Sequence, residues 1–245
     1  MILLLLIAVA LAATPFDGER LRWEVRYRGV SAGEAWSEAR ADPLGTVFEA
    51  GCNNAPWYAP IYTLDDRVWS TYSPTRGSLR YQTRFREGGF HQDQDMQLMP
   101  DRVLVWRHQR MDGAWKEWTD TYGASPGALD PVSALYVLRE ATGAGPWSWP
   151  VWTGKKTVAL TAESRGQVSL ETLFGTLEVD LVALTVPHKG EVEQRGGFLV
   201  YLTRDARRAP VRAELRSSVG SFRADLVGYR APSGASWGAL YAADR

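Results

Sequence analysis

Leu79-Arg80-Tyr81-Gln82-Thr83-Arg84-Phe85-Arg86 alternates apolar or small side chains with arginine and glutamine at every second position. A period of two places Leu79, Tyr81, Thr83 and Phe85 on one face of an extended chain and the polar residues on the other. That is the pattern of a strand that covers a core and turns its back to water. Upstream, Leu21, Trp23, Val25 and Tyr27 alternate in the same way with Arg22, Glu24, Arg26 and Arg28. Further strands are predicted over 33–40, 46–52, 67–72, 90–98, 102–111, 115–122, 155–162, 167–172, 176–186, 198–203, 211–217 and 221–229. Glycine-bearing turn signals separate many of them at hairpin spacing, among them Glu87-Gly88-Gly89, Asp112-Gly113, Arg165-Gly166 and Val219-Gly220.

One segment departs from this period. In Asp130-Pro131-Val132-Ser133-Ala134-Leu135-Tyr136-Val137-Leu138-Arg139, Asp130 is an N-cap, Pro131 suits the first helical position, and Gly143 follows the end. Val132, Leu135, Tyr136 and Leu138 share one face of a helix over 130–142. A lone amphipathic helix among strands buries its stripe on the sheet or plugs an open end of a barrel. The expected fold is therefore all-β, an antiparallel curved sheet or barrel-like domain with one capping α-helix. The segment 143–152 that follows, with Trp147, Trp149 and Trp152 between prolines, reads as a loop.

The chain has 245 residues, 45% hydrophobic, with 28 Lys+Arg against 28 Asp+Glu. This charge balance argues against nucleic acid as a partner. The apolar run over 1–13 is well short of the roughly 20 residues that span a bilayer, so no membrane span is expected. With Ala10-Leu11-Ala12 as a small-x-small site it reads as a signal peptide, which predicts a periplasmic or otherwise exported protein. A single β domain over 14–230 and a C-terminal tail over 231–245 complete the expected organisation. Cys52 is the one cysteine, so neither an intramolecular disulfide nor a cysteine-based zinc site is available. Its alternation with Phe48 and Ala50 makes it an inward side chain of a strand.

Several segments taken together resemble the DUF3108 family of exported bacterial proteins. They are Gly18-Glu19-Arg20-Leu21, Gly29-Val30-Ser31-Ala32-Gly33-Glu34-Ala35, the helix segment from Asp130 to Arg139, and Thr203-Arg204-Asp205-Ala206-Arg207-Arg208-Ala209-Pro210-Val211. The resemblance runs from Gly18 to about Tyr229 and implies an exported, mostly β domain of unassigned role, with no catalytic residues to carry over. The residues have physical readings of their own. Asp205 makes an Asx-type turn, and Pro210 fixes φ where a strand begins. Arg139 favours the helix C-terminus and could reach a carboxylate on a neighbouring strand. Asp130, Pro131, Leu135, Arg139, Asp205 and Pro210 are thus structural candidates.

Chemistry-bearing motifs are sparse. Gly123-Ala-Ser125-Pro-Gly127 and Gly234-Ala-Ser236-Trp-Gly238 match G-x-S-x-G. The first lacks the backbone N–H that an oxyanion needs, because Pro126 follows the serine, and the second has no histidine after it. No phosphate, dinucleotide or metalloprotease motif is present, so no cofactor is predicted. His91, Asp93 and Asp95 share a strand face. If Met99 lies opposite Arg102, Asp93 faces His108 and Asp95 faces Trp106. These four, His91, Asp93, Asp95 and His108, form a candidate metal or acid/base cluster, or else a solvated outer face with arginine as counter-charge. Met96, Leu98, Val103 and Val105 on the opposite face read as core. Trp115, Trp118, Trp147, Trp149 and Trp152 are candidates to bind a lipid or glycan, or they fill a wide β core. The leading expectation is a non-enzymatic domain binding an apolar or envelope-derived ligand in a concave β face. Alternatives are a hydrolase of envelope polymer working through the histidine cluster, and a structural envelope protein docking a partner.

Overall fold

The computed structural model describes residues 15–60, 62–188, 191–192, 197–217 and 220–232. The segment through residue 13 that reads as a signal peptide and nearly all of the 231–245 tail lie outside the described residues, as does Ser236.

The first half of the chain is a meander of hairpins: β1 (Arg20–Tyr27), β2 (Val30–Asp42), β3 (Gly45–Asn54), β4 (Asp65–Ser73), β5 (Gly77–Glu87), β6 (Phe90–Leu98), β7 (Arg102–Met111) and β8 (Ala114–Gly123). The helix α1 (Pro131–Glu140) comes next. The second half is β9 (Trp147–Trp152), β10 (Thr157–Thr172), β11 (Gly175–Thr185), the two-residue strands β12 (Pro187–His188) and β13 (Glu191–Val192), then β14 (Phe198–Thr203), β15 (Pro210–Ser217) and β16 (Gly220–Arg230). All but β12 and β13 join one 14-stranded sheet, ordered β8-β7-β6-β5-β4-β3-β2-β1-β16-β15-β14-β11-β10-β9. Every neighbouring pair is antiparallel, and β1 with β16 joins the two halves. The sheet is not closed: β8 and β9 are its edges, and α1 lies between them in the chain.

The alternation read at Leu79 to Phe85 is realised across the sheet, with one face turned to the helix and the other to solvent. The β6–β7 register pairs Asp93 with His108 and Asp95 with Trp106, as the assumed hairpin required. Two expectations fail in the second half. The predicted strands 155–162 and 167–172 are one strand, β10, and Arg165-Gly166 is a bulge where the pairing with β11 shifts register between Ser164 and Gln167. Gly166 takes φ +92° there, which a bulge accommodates as readily as a turn does. The segment read as a tryptophan loop contains β9. Pro150 sits in it without breaking the sheet because an edge strand has a side with no ladder to supply. That free edge is covered by Leu129, whose N–H donates to the Pro150 carbonyl at 2.8 Å and whose carbonyl accepts from Trp152 at 2.7 Å.

Helix α1 is held from its N-terminus. Asp130 is fully buried; its Oδ1 accepts from the N–H groups of Val132 and Ser133 at 2.9 and 3.0 Å. Its Oδ2 accepts from the hydroxyls of Ser70, Ser78 and Ser133 at 2.5, 2.6 and 2.8 Å. The cap thereby fastens the helix to β4 and β5. Further along, the Tyr136 ring stacks on Phe48 with centroids 3.8 Å apart, and Phe16 meets it edge-on. Leu138 and Ala134 join Val151, Val182, Val200 and Leu202 in the largest core cluster. The expected helix face needs one correction. Leu135 does not pack on the sheet; it is 39% exposed because the neighbouring residues Ala134 and Tyr136 take the two packed sides. The two edges of the sheet are brought together by side chains: Trp152 of β9 is buried among Met96 of β6 and Val103 and Val105 of β7.

Candidate functional site

The side chain of Leu135 faces a chamber rather than bulk protein. The chamber lies between α1 and the inner faces of β1 to β4 and β14 to β16, and has a volume of about 370 Å³. Val132, Leu135 and Tyr136 come from the helix, and Leu21, Val68, Ala213 and Ala224 are among the inward residues of the strands. Its walls are almost wholly apolar. Small residues at Ala35, Ala50, Ala213 and Ala224 are what keep it open, since each is an inward strand position where a larger side chain would fill the space. Cys52 also faces in. Burial pushes its thiol up to about 11, with the carboxylates of Asp66 and Glu87 adding to the effect. The thiol is therefore protonated and unreactive at neutral pH.

Cys52 also lines a second cavity, of about 500 Å³, at the rim of the sheet. There Val25, Tyr27 and Leu64 lead to the exposed side chains Val30, Trp57, Tyr62 and Phe222. Phe85 lines both the chamber and a third cavity, of about 850 Å³ and quite different chemistry. Here the inner faces of β6, β7 and β8 meet the β9–β10 connection. Arg107 is 5% exposed. Its guanidinium pairs with Asp120, donates to the Gly154 carbonyl at 2.9 Å, and lies over the Tyr122 ring. Asp120 also accepts from Trp118 Nε1 at 3.0 Å and from the Tyr122 hydroxyl at 3.2 Å. Three amides run beside this group, Gln94 donating to Gln92 and Gln92 to Gln109, each at 2.7 Å. Lys155 and Lys156 complete the wall.

The expected site residues are dispersed over these surroundings. His91, Asp93, Asp95 and His108 do share one face, but it is the outer one. Asp95 is engaged by Arg80, and Asp93 by Arg86 at 2.7 Å with His108 Nδ1 at 3.9 Å. Among the described residues, no group of three or more histidine, cysteine and acidic side chains is arranged to hold a metal ion. Trp115 lies on the same outer face, 45% exposed and stacked on His108 at 4.4 Å. Trp118 is in the polar cavity. Trp147 and Trp149 pack on the core around α1, Trp147 Nε1 donating to the Thr142 carbonyl at 3.0 Å, and Trp152 is core. The five tryptophans thus form no single platform. Sequence reasoning missed the polar inner wall, although its signal is visible. Gln92, Gln94, Arg107 and Gln109 continue the face on which Met96, Leu98, Val103 and Val105 read as core, so that face changes from apolar to polar along the same two strands.

The structural candidates converge. Arg139, 5% exposed, makes a bidentate pair with the buried Glu19 at 2.6 Å to both oxygens. It also donates to the carbonyls of Arg207 and Arg208 at 3.0 and 3.1 Å. Asp205 accepts from the Thr203 hydroxyl and the Arg207 N–H, closing the Asx turn, and the Pro210 carbonyl at the start of β15 accepts from Trp23 Nε1. Burial opposes ionisation of Asp205, but the hydrogen bonds and charge of Arg207, with the Thr203 hydroxyl, outweigh it and hold the carboxyl below its usual value.

A family model described as a protein of unknown function, DUF3108, matches residues 22–227. Among solved structures, a β-barrel-like protein of a domain of unknown function, DUF1849, from Brucella abortus superposes with a TM-score of 0.61 at 12% identity. The alignment covers 90% of this chain and 100% of that one. No curated protein matches.

Proposed function

The chain belongs to the DUF3108 family, and from that premise we propose that it is an exported, non-catalytic domain that holds an apolar or envelope-derived ligand in its concave face. The observation that carries this reading is the chamber of about 370 Å³ under α1, walled almost wholly by apolar side chains and adjoined at Cys52 by a second, largely apolar cavity at the rim. Small-molecule sites of roughly 300–1,000 Å³ have this character. Hydrocarbon entering such a space is stabilised by about 0.8 kcal/mol per buried CH₂ group. The fold supplies what a carrier requires, a fixed apolar space with one helix as its roof. The signal-peptide reading of residues 1–13 supports an envelope destination. The hydrolytic alternative has less support, because its four residues lie on the outer face and its two carboxylates, Asp93 and Asp95, are paired with arginines.

Native mass spectrometry of protein purified from its own cell envelope tests the reading. The expected result is a retained apolar adduct that is lost in Ala50→Phe, which puts a ring into the chamber. An adduct held equally by both proteins would place the ligand elsewhere and overturn the assignment.

A further inference from the structure

The apolar chamber accounts for one part of a ligand, and the polar cavity beside it suggests the other. A barrel-like interior that is apolar on most strands carries, on β6 to β8, three chained amides and a buried arginine. Lining a cavity of about 850 Å³ with such groups is unfavourable for stability unless water or a ligand meets them. The Gln94 carbonyl and the Gln109 amide nitrogen are the two ends of the amide chain, and neither has a partner among the described residues. The charge balance points one way. Among the described residues that line the cavity, Asp120 is the one carboxylate, and it is already taken by Arg107, Trp118 and the Tyr122 hydroxyl. Lys155 and Lys156 line the same cavity and form no ion pair among the described residues, although many arginines of the strand faces have an acidic partner. They are also two of only four lysines in the chain. An uncompensated pair of ammonium groups beside free amide groups attracts an anion.

Phe85 lines both cavities, so the two adjoin at its ring. We infer that the ligand is an amphiphile with an anionic head group, its chain in the chamber under α1 and its head among Gln92, Gln94, Gln109, Lys155 and Lys156. This rests on the carrier reading above and adds to it the charge and position of the head. Arg107 is a positioning residue in this arrangement: its donors are used on Asp120 and Gly154, and it holds the β9–β10 connection with its two lysines against β7.

The test is competition against an environment-sensitive naphthylamine dye, below micellar concentrations, with four competitors: dodecyl phosphate, dodecyl glucoside, dodecyltrimethylammonium and inorganic phosphate. Wild type and the double variant Lys155→Ala/Lys156→Ala are compared. Both lysines are exposed, so the variant is expected to keep the wild-type circular dichroism spectrum and melting temperature. The expected result is that dodecyl phosphate binds about tenfold more tightly than the glucoside, the scale of two solvent-accessible ion pairs. The double variant should lose that preference with glucoside binding unchanged, and added salt should reduce it in wild type. Equal affinity for the three dodecyl compounds, or a preference that survives in the double variant, would overturn the head-group assignment while leaving the carrier reading in place. Displacement by inorganic phosphate as effective as by dodecyl phosphate would show that the chain contributes nothing, and would overturn the amphiphile. Failure of every competitor to displace bound dye would remove the carrier reading itself, and this inference with it.

Discussion

Burial of ionisable side chains gives this protein a marked dependence on alkaline pH. Burial pushes the Cys52 thiol up to about 11 and raises the Tyr81, Tyr136 and Tyr229 hydroxyls above their ordinary value, in each case with a nearby carboxylate adding to the effect. In the unfolded chain these groups lose their protons from about pH 9 upward, whereas the folded chain retains them. Protons bound in the folded state and released in the unfolded one mean that stability falls as pH rises. The contribution is complete below about pH 9 and declines across the window above it. Urea midpoints should therefore drop between about pH 8 and pH 10.5, and Cys52→Ala should remove a part of that drop and no more. A flat profile would show that these groups are solvated. Individual residues were unevenly legible in the sequence. Alternation alone makes Cys52 inward. That Arg139 reaches a carboxylate follows from its place near the helix end, but Glu19 as its partner does not, because the two are 120 positions apart and only the fold brings them together. The segments that carry the family resemblance, around Glu19, Arg139 and Asp205 to Pro210, meet at this one buried ion pair. Removing either partner of such a pair leaves a charge without compensation.

At the scale of elements, α1 separates two kinds of leucine that sequence periodicity groups together. Leu138 is 1% exposed within the main cluster, and Leu135 is 39% exposed toward the chamber. Leu138→Ala should cost about 2 to 5 kcal/mol, as deletions in a packed core do. Leu135→Ala should cost less than about 1 kcal/mol, because the side chain is not enclosed by protein. Denaturant melts of the two variants decide the matter, and equal losses would mean that Leu135 is packed and the chamber closed. The start of α1 was readable from Asp130-Pro131, since capping is local chemistry. Its face was not: Val132, Leu135, Tyr136 and Leu138 form an apolar stripe whether they meet a sheet or a cavity. The strands of the first half are legible because each shows one face to water, so the period of two dominates although bulges interrupt it in the β1–β2 and β4–β5 pairs. β9 was hidden because Pro146 and Pro150 read as loop chemistry, and a proline is compatible with a strand once that strand lies at an edge. β10 was divided in two because a glycine in a bulge and a glycine in a turn give the same local signal.

At the scale of the molecule, curvature sets the space that the inward faces enclose, and curvature is the property least available to pattern reading. A period of two says that one face is inward; it does not say how much space the inward faces enclose. The chamber exists because alanines stand at inward positions on β2, β3, β15 and β16 and because α1 spans the inside instead of filling it. The polar wall was passed over for a related reason: Gln92, Gln94, Arg107 and Gln109 look solvated in sequence, and only the curled sheet turns them inward. The central claim, that the concave face takes an apolar ligand, is tested most directly at Cys52, which lines both the chamber and the cavity at the rim. The rate of Cys52 alkylation by N-ethylmaleimide is measured in the folded protein with and without saturating dodecyl glucoside, a neutral amphiphile that engages the chamber whatever the head-group preference. Without ligand the reaction at about pH 8 should be on the order of a hundredfold slower than in urea, given the raised thiol. With ligand it should slow by a further factor of about ten as the hydrocarbon covers the sulfur. A rate in the folded protein that the amphiphile leaves unchanged would contradict the account.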